Sequence, residues 1–236
     1  MAGFVLRGLL AGALAGLAAG SFYLVFGEPL IEAALAFEPP GGEEIFSRDV
    51  QRLGLIAATV LFGLGLGGLF SIAFLLIAPR LRTGTAWERS VRLAGAAFLA
   101  GWFVPFLKYP ANPPAVGDPA TAELRSNLYL LMVAVSIGLA VLAYLAARWL
   151  EDRRVPAHLR LPAVAAAWTL AVGFVFTLMP DNPDLIEIPA ALLWDVRLAS
   201  AGGQLVLWAG IGVLFGVLAQ RYLERTGNAE LAALRR

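Results

Sequence analysis

The chain has no cysteine and a single histidine, His158. The first absence removes disulfides, thiolate metal sites and cysteine nucleophiles together. The second leaves too few nitrogen ligands for a zinc centre of the usual kind. His158 lies between Pro156 and Arg160 in a basic stretch, where a solvated loop residue is its plain reading. Charge is scarce as well: 15% of residues are ionic, against about 25% in an ordinary soluble domain. The net charge of +1 offers no electrostatic footprint for nucleic acid. There is no Gly-rich loop ending in Gly-Lys-Ser/Thr, no H-E-x-x-H and no G-x-S-x-G. With no nucleophile–base pair in view, the chain is not expected to be an enzyme or to carry a cofactor.

Apolar residues are abundant, at 59% of 236. They gather into six uncharged runs: Gly8–Gly27, Leu53–Pro79, Leu93–Leu107, Ser126–Ala147, Leu161–Pro180 and Leu198–Gln220. A helix needs about 20 residues to cross the hydrocarbon core of a bilayer. Five runs reach that length. The third has 15 uncharged residues. It spans only if Arg89 and Arg92 carry their charges out to the interface on long stems; otherwise it is re-entrant or absent.

Charge placement favours the full span. With a cytoplasmic N-terminus and six crossings, 13 of the 18 basic residues fall inside with five acids, and the other 12 acids fall outside. The positive-inside rule then holds in every loop. The expected fold class is all-α: a polytopic bundle of six transmembrane helices in three hairpins, with N- and C-termini cytoplasmic. One transmembrane domain, 1–236, has spans at about 4–26, 53–78, 90–107, 126–147, 161–179 and 198–219. The first run exceeds a signal-peptide core and is read as a span.

The organising stretch is Pro105–Pro119, with five prolines, Lys108, Asn112 and Asp118. Proline lacks a backbone donor and fixes φ, so this stretch reads as a stiff cap, not a helix interior. A shorter version recurs at Met179–Asp184, and both contain P-x-N-P. Glu28-Pro29 reads as the start of a short interfacial helix carrying Glu28 and Glu32 on one face, ended by Pro39–Gly42. Each outer loop closes on an acid shortly before an arginine: Asp49 and Arg52, Glu123 and Arg125, Asp195 and Arg197. Either this is a repeated hairpin plan, or three helix starts each take an acid in the first turn and a snorkelling arginine.

The helix centres hold no ionisable relay of the sort that marks proton-coupled transport. Polar weight sits on the outer rim, at Glu28, Glu32, Asn112, Asp118, Asn182 and Asp184, with Lys108 and Asp195 beside them. Oxygen donors of this kind suit loosely held divalent cations, and an acidic rim concentrates them; the competing reading is that outer acids merely complement inner basic residues. Gly8, Gly12, Gly16 and Gly20 bare one face of the first helix, either for packing within the chain or for docking a second polypeptide.

Phe106–Pro119 (F-L-K-Y-P-A-N-P-P-A-V-G-D-P) resembles the hallmark segment of the CbtA family of probable cobalt transporter subunits. Arg7–Leu17, Glu28–Glu32, Ser47–Gly54, Leu128–Met132 and Leu192–Trp208 extend the resemblance in order along the chain. It implies a multi-pass protein of a prokaryotic inner (plasma) membrane, serving cobalt uptake for cobalamin biosynthesis. It also implies a small one-helix partner, CbtB-like, that carries histidines. The expected function is a membrane subunit for Co²⁺ uptake with the six rim residues as its mouth. The alternative is a non-transporting scaffold holding a small partner through glycine-rich faces. The bilayer is the one surrounding expected in either case, with a homo-oligomer left open.

Overall fold

A computed structural model describes residues 1–38, 46–80, 84–114, 116–182, 184 and 186–233, with side chains as far as residue 227. The Pro39–Gly42 turn, Glu43 and Glu44 lie outside the described residues, as do Arg82, Pro183, Arg235 and Arg236. All regular structure among the described residues is helical: α1 (Ala2–Phe22), α2 (Glu28–Leu35), α3 (Arg48–Ile77), α4 (Ala86–Phe98), α5 (Val104–Lys108), α6 (Ala122–Asp152), α7 (Ala157–Leu178) and α8 (Ala190–Ala233). Six continuous helical segments are long and apolar enough to cross a membrane. The protein is an all-helical, multi-pass membrane protein.

The third span is complete. It runs over Ala86–Lys108, 23 residues, or about 35 Å at 1.5 Å per residue. Thr85 starts it with a capping box: its hydroxyl accepts from the Glu88 N–H, and the Glu88 carboxylate accepts from the Thr85 N–H. The shortfall read from the sequence came from counting only uncharged residues; Arg89 and Arg92 lie within the helix.

Two expectations about proline need correction. Pro29 does not open a separate interfacial helix, because α1 and α2 are continuous through one wide turn, Tyr23–Gly27. Pro105 is not outside the helix either; it sits in α5, joined to α4 through a second wide turn, Leu99–Phe103. The two solutions match. In each, the N–H just before the proline bonds five residues back, Glu28 to Tyr23 O and Val104 to Leu99 O. Proline lacks a donor and its ring crowds the carbonyl four residues back, and a one-turn widening of the helix accommodates both. Pro162 is likewise inside α7, near its start.

The packing keeps the first two hairpins and departs from the third. α1 lies along α3 and α8, α4 lies along α8, and α7 packs on α6, not on its chain neighbour α8. Glycine decides the first contact. A methyl group at Gly12 would overlap the Gly63 carbonyl; one at Gly16 would overlap that of Thr59, and one at Gly67 that of Gly8. Backbone thus rests on backbone, the close-packed mode that associates helices in lipid. The bare face of α1 is filled by α3 from within the chain. On α8, Gly212 and Gly216 admit Ala94, Ser90 and Trp87 of α4, and the Ser90 hydroxyl donates to Gly212 O at 2.7 Å.

Between these helices Phe215 is wholly buried, with the rings of Phe70 and Phe74 edge-on at 5.4 and 5.1 Å. Such contacts add about 0.5–1.5 kcal/mol each beyond burial. The α6–α7 pair joins this four-helix core through the C-terminal half of the third span, where Val104 packs with Met132 and Val172. Of the α6 and α7 apolar windows, 11% and 6% of residues are buried, against 28–33% in the other four spans.

Candidate functional site

The proline-rich loops after α5 and α7 meet at one end of the bundle and form a cap. Lys108 holds Asp181 at 2.6 Å, and the Tyr109 hydroxyl donates to Pro180 O at 2.6 Å. Burial raises the Tyr109 phenol above its ordinary range; Lys108 opposes that shift and Asp181 adds to it. The second P-x-N-P segment is therefore tied to Lys108 and Tyr109, the two residues immediately ahead of the first. Val116, Ile188 and Leu193 form a small apolar core beneath them.

Asp184 is the buried centre of the cap, its side chain 3% exposed. Oδ1 accepts from the Thr121 hydroxyl at 2.7 Å, and Oδ2 lies 3.0 Å from Arg125 Nε. That approach is off the line a hydrogen bond needs, so Oδ2 and Nε form an ion pair while each lacks a hydrogen-bond partner. Gly117 makes room for the pair. It adopts a φ of +105°, and a side chain there would overlap Arg125 Nη1 and come within 2.7 Å of Asp184 Oδ2. Only glycine meets both demands without strain.

The six rim residues do not converge on one point. Asp118 is exposed; its Oδ1 caps the short turn Pro119–Thr121 by accepting from the Ala120 N–H at 2.8 Å. Asn182 is exposed and accepts from the Asp184 N–H at 3.2 Å. Glu28 is mostly buried and held by two arginines, Arg48 at 2.7 Å and Arg52 at 3.3 Å. Glu32 remains 68% exposed, with Arg52 at 3.7 Å. Asn112 accepts from Arg197 at 3.2 Å. No cluster of three or more carboxylates or histidines positioned to hold a metal occurs among the described residues.

Two cavities open beside this cap. The larger is about 800 Å³ and includes Trp102, Tyr109, Asn182, Asp184, Arg125 and Arg197 in its wall. The smaller, about 280 Å³, is lined by Tyr23, Gly27, Glu28 and Ser200 among others. Ala111 and Asn112 belong to both walls. Each cavity also borders one of the wide turns: Trp102 comes from one, and Tyr23 and Gly27 from the other. Wide turns of this kind occur frequently at functional sites.

Neither a repeated hairpin plan nor snorkelling at three helix starts conveys what the helix-start arginines do. Each reaches across to another loop or helix: Arg52 to Glu28, Arg125 to Asp184 and Arg197 to Asn112. The signal was the recurring arginine itself, but nothing in one dimension names its partner.

The family model for the probable cobalt transporter subunit, CbtA, matches residues 1–220. The chain belongs to the CbtA family. The match includes both proline-rich loops, both wide turns and every residue lining the two cavities. No curated protein and no solved structure matches this CbtA chain.

Proposed function

We propose that this CbtA protein is the membrane subunit of a Co²⁺ uptake system in a prokaryotic plasma membrane. Its cap end faces outward and both termini face the cytoplasm. The observation that carries this is the family match over 1–220; the sorting of acids to the cap end and basic residues to the other supports the orientation. The ion mouth comprises Glu28, Glu32, Asn112, Asp118, Asn182 and Asp184. Exposed Glu32 and Asp118 draw the cation in, exposed Asn182 offers it a neutral oxygen, and Asn112 lies where it would pass inward along the smaller, Glu28-lined cavity. Glu28 and Asp184 shape the mouth through their arginines, since their charges are already matched.

Radiolabelled Co²⁺ uptake into proteoliposomes, with this chain alone and then with its partner, tests the reading. Uptake above empty vesicles supports it; none in either case overturns it. Asp118→Asn isolates the charge, because asparagine caps a helix start about as well as aspartate. Uptake should fall roughly twofold with expression unchanged, as expected from removing one charge of a steering field. Unchanged uptake removes Asp118 from the mouth.

The word subunit in the family description points to a partner. We place a one-helix partner against α6–α7, because the α1 glycine face is already filled while that pair is largely uncovered. Gly138 and Gly173 have open space around them. Gly138→Leu with Gly173→Leu should leave the thermal midpoint of this chain within about 2 °C, as a surface change does, yet prevent partner co-purification. Intact co-purification rules out that face.

A further inference from the structure

We infer that the larger cavity binds a ligand bearing an oxyanion group, a phosphate or carboxylate, on a flat apolar body. Its volume of about 800 Å³ lies within the range of small-molecule sites and is far larger than a bare cation needs. Its wall carries two guanidinium groups, Arg125 and Arg197, against one carboxylate, Asp184. Asp184 is matched by Arg125. Arg197 has no carboxylate within ion-pairing distance among the described residues. It donates only to neutral oxygens, Ala111 O at 3.4 Å and Asn112 Oδ1 at 3.2 Å.

The cavity lining is therefore net positive. A half-buried guanidinium bound only by weak neutral acceptors is incompletely compensated, and it is the side chain best shaped to take a carboxylate or phosphate through two parallel bonds. The remaining wall suits a flat body: Trp102 and Phe106 are stacked at 4.5 Å, and Tyr109 and Tyr129 also face the space. Because the cavity lies at the cap end of the spans, the oxyanion could belong to a free solute or to a lipid headgroup. The inference does not depend on cobalt uptake.

The test uses the full chain in dodecyl maltoside, which is uncharged and free of phosphate. Phenyl phosphate is titrated by calorimetry, and phosphatidylglycerol retention is read by native mass spectrometry. Arg197→Gln should weaken binding at least about tenfold, the cost of losing one charge-assisted contact. Arg197→Lys should restore part of it. Ser126→Trp fills the cavity without altering a charge; it should abolish binding as well, and it covers the case in which Arg197→Gln does not fold. Arg197-dependent phenyl phosphate binding supports a free solute. Arg197-dependent retention of phosphatidylglycerol alone supports a lipid headgroup. If neither probe binds, or if binding survives either a folded Arg197→Gln or Ser126→Trp, the inference is overturned.

Discussion

Gly12→Leu should leave little folded protein. A single added carbon at Gly12 would already overlap the Gly63 carbonyl, lie 2.8 Å from its carbon and lie 2.9 Å from the Gly67 Cα. All three obstacles are backbone, so no rotamer change relieves them. Overpacking a core costs about 1–3 kcal/mol where side chains can yield; here α1 and α3 must separate and lose the contact along its length. The expected result is aggregation on size-exclusion chromatography in detergent, or a thermal midpoint lowered by more than about 8 °C. Gly65→Leu, on the same α3, provides the control. Gly65 has open space around it, so that variant should elute and melt like the parent. A monodisperse, parent-like Gly12→Leu protein would show that the α1–α3 contact is wrong. Loss of a partner in Gly12→Leu would not by itself reveal a docking face, since the fold fails first.

Asp184→Ala should open the cap. The Asp184 side chain is 3% exposed and that of Arg125 27%, so removing the carboxylate leaves a largely buried guanidinium without its counter-charge. Breaking a buried pair from one side costs about 3–5 kcal/mol. The Thr121 hydroxyl loses its acceptor at the same time. Hydrogen exchange should rise over residues 109–121, which the pair holds against the loop after α7. The double variant Asp184→Ala with Arg125→Met should recover much of the loss, because it removes the stranded charge. Unchanged exchange in Asp184→Ala would mean that Lys108–Asp181 and Tyr109–Pro180 hold the loops by themselves.

These two sites differ in how far the sequence revealed them. Gly8, Gly12, Gly16 and Gly20 announced a bare helix face, since spacing of four returns to the same side of a helix. What pressed against that face, α3 or another polypeptide, was beyond the reach of spacing. Asp184 looked like one acid among several on a rim. Its burial and its match with Arg125 arise because two loops far apart in the chain fold together over Gly117.

The prolines mark the boundary most clearly. A proline in one dimension signals a helix break, and Pro29 and Pro105 were read that way. In three dimensions each follows a wide turn that lets the helix continue. Local sequence does not choose between breaking and widening; a broken helix would leave backbone groups without partners, and the widened turn keeps them bonded.

The sequence by itself determined the class: six apolar segments of membrane-crossing length, membership of the CbtA family, and a proline-rich stretch between the third and fourth spans. Those properties follow from composition, period and motif, which are local. Tertiary structure alone decided the rest. It set α4 on α8 and α7 on α6, brought the two proline-rich loops together, and turned three helix-start arginines into cross-links. It also gathered Arg125, Arg197 and Asp184 around one cavity. The physical reason is that packing and ion pairing depend on distance in space, and these partners are separated by dozens of residues along the chain.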